Sequence, residues 1–277
     1  MLPRQHPSKF HVLSILILWG SPNSFAQADP SSYFVHAGLS VQSFRYQETD
    51  AHNNVLDREA GLLPGLVIEA GKHLDRYSGL ISASLHKGTI PYDGQTQGGS
   101  PLMTETRERI VDVAALIKTG IGPYTDFPWL SAGFGYREWR RDIQPTNSAA
   151  GLFETYRWPY WMIGLTGDVF QKGLWKAGLD WRLMRPIHPT IELDANDFDP
   201  LTLSLGSTYS FNVGFLIEYR AGTKQTVVIR PYWQSWHLRQ GNSKRLYSNG
   251  IPTDYSAHEP DSETRILGIT ATLRFAH

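Results

Sequence analysis

The 277-residue sequence contains no cysteine, so neither a disulfide nor a thiolate-bound metal can stabilise the chain. Stability must come from packing and backbone pairing. Long apolar runs are also missing. Nothing after residue 26 approaches the roughly 18 consecutive apolar residues of a helical membrane span. A membrane-inserted form must therefore be a closed β-barrel, the other structure that satisfies every backbone N–H and C=O internally. Net charge is absent too, with 26 Lys and Arg against 26 Asp and Glu. Without a basic excess, no nucleic-acid partner is expected.

What is present begins with an export signal. Arg4 and Lys9 form a positive segment, Phe10 to Trp19 an apolar run, and Ser24-Phe25-Ala26 a small-residue cleavage site. Cleavage after Ala26 is expected, leaving residues 27–277 as one domain, because no composition break divides them. The leader takes two of the basic residues and none of the acidic ones, so the mature chain is slightly acidic.

Ten segments of the mature chain alternate apolar and polar residues with the period of a pleated strand. Val35, Ala37, Leu39 and Val41 oppose His36, Gly38, Ser40 and Gln42. The longest run sets Tyr209, Phe211, Val213, Phe215, Ile217 and Tyr219 against Ser210, Asn212, Gly214 and Glu218. The last sets Leu267, Ile269, Ala271, Leu273 and Phe275 against Gly268, Thr270, Thr272 and Arg274. The polar face is rich in Gly and Ser with isolated charges, as suits a narrow lumen, and the apolar face carries large aromatics. The expected fold is all-β: a single antiparallel transmembrane barrel of about ten strands, with long loops on one rim and short turns on the other.

Short turns are expected near 74–78, 120–128, 171–174 and 221–225. Long loops are expected over about 47–58, 88–104, 142–155, 186–203 and 240–263. Trp129, Trp139, Trp158, Trp175, Trp233, Trp236, Tyr209 and Tyr219 lie near segment ends, where interfacial girdles belong. Pro159 and Pro231 fall within or at the end of strands, where a missing N–H costs a ladder bond.

Several groups are candidates for chemistry. Glu69, His86, Asp112, Arg137, Asp168, Asp180, Arg182, Glu218 and Arg230 come from nearly every segment and are expected to pair across the lumen. Tyr92, Asp93 and Gln95 mix an aromatic ring, a carboxylate and an amide in a glycine-rich stretch suited to a polar ligand such as a sugar. Arg137, Trp139, Arg140 and Arg141, with Arg107 and Arg109, suit an interface with lipid phosphates. Asp93, His188 and Asp194 are the candidates for rim catalysis. No hydrolase or metal-binding signature occurs, and the histidines lack ligand spacing, so no metal or cofactor is expected.

Signal, strand and loop pattern, and a terminal strand ending Leu273-Arg274-Phe275 together resemble the bacterial outer-membrane β-barrel class, although Ala276 and His277 follow the aromatic residue. The resemblance implies a Gram-negative outer-membrane location. Its implied partners are membrane lipid, lipopolysaccharide and the barrel-assembly machinery, which reads the terminal strand. Size and strand count are similar to the omptin proteases, whose activity is associated with acidic pairs and an Asp-His arrangement at the loop rim. No Asp-x-His spacing occurs in the fourth loop, so that catalytic assignment is not transferred. The expected function is a largely filled, noncatalytic barrel serving envelope structure, adhesion or ligand recognition. The alternatives are a rim hydrolase acting on peptides or lipids and a narrow solute channel.

Overall fold

The computed structural model describes residues 32–276, apart from 75, 97–98, 122–127 and 196–197. The leader and its cleavage position lie outside the described residues. In chain order the strands are β1 (Tyr33–Thr49), β2 (Val55–Leu74), β3 (Tyr77–Gln95), β4 (Pro101–Gly120), β5 (Trp129–Ile143), β6 (Leu152–Lys172), β7 (Trp175–Pro186), β8 (Thr190–Ala195), β9 (Leu201–Ser204), β10 (Gly206–Ser207), β11 (Ser210–Arg220), β12 (Gln225–Arg239), β13 (Lys244–Ser248), β14 (Ile251–Ala257) and β15 (Asp261–Ala276).

Ten of them, β1–β7, β11, β12 and β15, pair antiparallel with their neighbours and close through β1 against β15. Closure leaves the ten barrel strands without an edge, which is the condition for backbone in a bilayer. Both described ends of the chain and the short turns share one rim. Gly173, with φ of 59°, takes the left-handed conformation needed by the two-residue turn between β6 and β7.

The outer face carries the apolar side of each strand. Leu66, Phe134, Phe215 and Ile269 are 59%, 69%, 55% and 44% exposed. A central apolar core at this level is thereby ruled out, and the barrel is a transmembrane one. The belt follows Val35–Val41 on β1, Leu62–Ala70 on β2, Val111–Ile117 on β4, Leu130–Tyr136 on β5 and Leu267–Phe275 on β15.

Strands of up to 21 residues exceed the roughly 10 needed to cross a bilayer. The surplus projects beyond the belt on the loop side, and there the polarity of the wall inverts. On β5 the outward series Leu130, Phe134, Tyr136 gives way to Glu138, Arg140 and Asp142, while the inward series Gly133, Gly135, Arg137 gives way to Trp139, Arg141 and Ile143. On β15 outward Leu267 is followed by Arg265, and Ile266 turns inward at 1% exposure. The hydrophobic core lies inside this projecting half, where Phe44, Leu63, Ile90, Ile110, Trp139, Trp158, Trp236 and Ile266 pack together.

Three expectations are corrected by this inversion. The first three connections on the long-loop rim are short, at residues 50–54, 96–100 and 144–151, because the flanking strands run on past the membrane. Trp139, Trp158 and Trp236 do not belong to a girdle. They are lumenal and buried, with Trp158 edge-on to Trp236 at 5.6 Å. Arg141 points inward, as Arg137 of the lumenal set does, which leaves Arg140, Arg107 and Arg109 on the outside.

Both prolines sit where the ladder is already interrupted. The carbonyl of Pro159 accepts from Ile187 N at 2.8 Å, on the side where the partner of β6 changes from β8, ending at Arg157–Thr190, to β7, starting at Tyr160–Pro186. Backbone N and C=O of a strand residue point the same way, so the missing N–H of Pro159 falls in that gap. The β11–β12 ladder pairs Gly214 with Tyr232 and Ile217 with Ile229, skipping Pro231.

Candidate functional site

At belt level the lumen is crossed by ion pairs. Arg230 reaches Glu69 at 3.0 Å, with His36 3.3 Å from the same carboxylate. Arg137 donates to Asp112 at 2.7 Å, and Tyr160 donates to the other oxygen at 2.7 Å. Arg182 pairs with Asp180, Arg274 with Glu218 at 2.6 Å, and Lys176 with Asp168 at 2.6 Å. His86 bonds Ser40 at 2.9 Å. These groups hold the wall together from inside and leave each charge beside an opposite one.

A second polar cluster lies above the belt, in the projecting half, and its centre is Arg141. Strand register builds it. Glu108 on β4, Arg141 on β5 and Glu154 on β6 stand in one row, all pointing inward, and Glu48 on β1 faces Asp57 on β2. The fully buried guanidinium donates from Nη1 to Glu154 at 2.6 Å and Glu48 at 3.1 Å, and from Nη2 to Glu59 at 3.0 Å and Asp57 at 3.1 Å. The rings of Tyr46 and Trp139 lie 4.3 and 5.5 Å from its carbon.

The remaining members extend the cluster. Tyr156 donates to Glu259 at 2.5 Å and is shared by Tyr46 at 3.2 Å. Thr106 donates to Glu59 at 2.5 Å, and the indole of Trp139 donates to Glu108. Six carboxyls thus surround one guanidinium: Glu48, Asp57, Glu59, Glu108, Glu154 and Glu259. Glu59 Oε2 and Glu108 Oε1 are buried with no partner.

Full ionisation would leave a large uncompensated negative charge in a buried site, which is prohibitively costly. Protonation is the relief. Burial, ahead of repulsion from neighbouring carboxylates, raises the pKa of Asp57, Glu108 and Glu259 well above the usual carboxylate range. Burial likewise pushes Glu154 up to about 7, against the opposing pull of Arg141. The cluster therefore holds protons near neutral pH. It contains no histidine, and among the described residues no group of side chains is arranged to hold a metal.

The sequence candidates lie elsewhere. Asp93 faces outward near the end of β3, directly opposite Arg58 of β2. Both line a surface cleft of about 240 Å³ with Gln95, Gly94 and Gly99. Tyr92 points inward and is buried. His188 is exposed between β7 and β8 with φ of 45°, and Asp194 is exposed on β8 opposite Phe153. No hydrogen bond or ion pair joins Asp93, His188 and Asp194. The alternation Asp57-x-Glu59 was missed in the sequence and Trp139-x-Arg141 was assigned to the outer face, although both place chemistry on the inner face of a strand rather than in a loop.

These features define a ten-stranded transmembrane β-barrel with a charged and then aromatic lumen. No protein-family model and no curated protein matches the sequence. Among solved structures, the outer-membrane protease OmpT from Escherichia coli superposes with a TM-score of 0.59 at 12% identity, covering 89% of this chain and 96% of that one. Neisserial surface protein A aligns at a TM-score of 0.35 and 8% identity, covering 90% and 99%. OprG from Pseudomonas aeruginosa aligns at 0.37 and 7%, covering 89% and 95%. The fold is that of the bacterial outer-membrane barrels.

Proposed function

We propose that this chain is an exported outer-membrane barrel, processed after Ala26, that is noncatalytic and acts by recognition at its loop rim. The observation that carries the reading is the packed loop end of the lumen, where apolar and aromatic side chains meet across the axis above the ion-pair layer. A barrel filled in this way favours a surface role over solute passage. The cleft lined by Arg58, Asp93 and Gln95 offers a cation, a carboxylate and an amide at the outermost rim, a set suited to a polar ligand such as a sugar.

Outward cations support contact with phosphate groups of lipopolysaccharide. Lys87, Arg109 and Arg140 stand directly opposite one another on β3, β4 and β5, and Arg45 faces Arg265 across the β1–β15 seam, just above the apolar belt. Like charges directly opposite repel unless an anion lies among them. Glu138 answers part of this charge, at 3.2 Å from Arg109 and 2.8 Å from Arg140. Phe275, on the terminal strand, is outward and suits recognition by the assembly machinery.

Fractionation with gel mobility before and after boiling, followed by planar-bilayer recording, tests the reading. A heat-modifiable band in the outer membrane with no single-channel conductance is expected. Steady conductance would transfer the role to a narrow channel, and a soluble periplasmic product would end the proposal.

A further inference from the structure

The last loop-rim connection, residues 240–260, carries the β13–β14 hairpin and is tied mostly by exposed contacts. Asp199 accepts from Asn249 N at 3.0 Å and Gly250 N at 2.8 Å, and Lys244 Nζ donates to the Thr202 carbonyl at 2.8 Å. Within this connection only Leu246 and Glu259 are buried, at 6% and 4% exposure. One of its two anchors is thus an acidic side chain inserted into a cluster already crowded with acids. The groups facing Glu259 are Tyr46 and Glu48 from β1, Arg141 from β5, and Glu154 and Tyr156 from β6. Asp57 and Glu59 of β2, Tyr92 of β3 and Glu108 of β4 lie around the same guanidinium.

Arg141 attracts an ionised Glu259 but does not offset its burial and the repulsion of Glu48 and Glu154. Both its terminal nitrogens are taken by four other carboxylates, and Glu259 meets only the Tyr156 hydroxyl. A neutral carboxyl is tolerated there. A carboxylate loses more by staying than by leaving, because the exposed rim offers water at once. We propose that Glu259 is a proton-operated latch: its neutral carboxyl seats the 240–260 segment on the mouth of the lumen, and loss of that proton to solvent ejects the side chain and swings the segment outward.

The direction agrees with the raised titration of Glu259 by burial, then by Glu48 and Glu154. It also yields a quantity. Opening coupled to release of one proton raises the open-to-closed ratio about tenfold per pH unit above the free carboxyl's range. The latch goes beyond the recognition role and does not depend on what the rim binds.

Because the chain has no cysteine, a pair of spin labels can be placed at Ser148→Cys and Ser256→Cys, both exposed and on different rim segments. Pulsed electron–electron distance measurements on the barrel in lipid vesicles then read the position of the segment against pH. One distance is expected at low pH, with a second, longer one appearing as pH rises, the ratio of long to short increasing about tenfold per pH unit through the transition. Glu259→Gln in the same background, which keeps the shape and removes the ionisation, should retain the single short distance throughout. Distributions that do not change with pH overturn the latch, and so does the second population in Glu259→Gln. If Glu259→Gln fails to give a heat-modifiable barrel, Tyr156→Phe replaces it. Loss of the hydroxyl must then move the transition, and an unmoved transition overturns the proposal.

Discussion

Raising the pH should destabilise this barrel over a range where most proteins are near their optimum. The Glu154 carboxyl titrates at about 7 in the folded state against 4.5 in an unperturbed chain, with burial the largest cause. A folded-state pKa raised above the unfolded one means that the folded form holds a proton which the unfolded form releases. The resulting stability is fully present below the unfolded value and is lost as pH rises through the folded value. At about 1.4 kcal/mol per unit, the loss from this one group is about 3 kcal/mol. Asp57, Glu108 and Glu259 shift in the same direction and steepen the fall. The assay is denaturant unfolding in one detergent across about pH 5 to about pH 8, the window in which the shifted group changes state. Glu154→Gln should remove roughly one proton's worth of slope while keeping the hydrogen-bond acceptor toward Arg141. A wild-type stability that is flat or rises with pH would refute the reasoning, as would an identical slope in Glu154→Gln.

Three further outcomes follow from the same structure. Arg141→Met removes the only guanidinium inside the cluster and should cost about 3–5 kcal/mol near pH 8; the loss should shrink toward pH 5, and equal loss at both would show that charge is not its cause. Phe134→Arg, in the middle of the belt on β5, should cost about 2–4 kcal/mol in folding into vesicles, whereas Arg140→Ala on the same face above the belt should cost under about 1 kcal/mol. Gly38 lies at the closing seam, where an added Cβ would meet the Ala271 carbonyl oxygen at 2.0 Å and Thr272 Cα at 2.6 Å. Gly38→Ala should therefore cost more than the roughly 1–3 kcal/mol typical of overpacking, because backbone cannot step aside as a side chain can, and the heat-resistant fraction on gels should fall.

The amino-acid order by itself determined the class of structure. The absence of cysteine and of long apolar runs left strands as the sole way into a bilayer. Period-two alternation at Val35–Val41, Tyr209–Tyr219 and Leu267–Phe275 then marked both faces of the wall and the even strand count. Lumenal partners such as Glu69 and Arg230, far apart in the chain, could be nominated as a set because their phase along each strand was visible. Their pairings could not, because nothing local relates β2 to β12.

What only the tertiary structure decided lies above the membrane. There each strand keeps its period but exchanges the meaning of its faces. Beyond Val41 the outward residues of β1 become Ser43 and Arg45, while the inward ones become Phe44 and Tyr46. In the sequence that exchange reads as the end of a strand and the start of a polar loop, which is why Asp57, Glu59, Glu108 and Glu154 went unnoticed and Arg141 was placed outside. A side chain's phase says which face it occupies; the medium on that face is set by height relative to the lipid. Only the assembled register fixes that height, and with it the six carboxyls around one arginine.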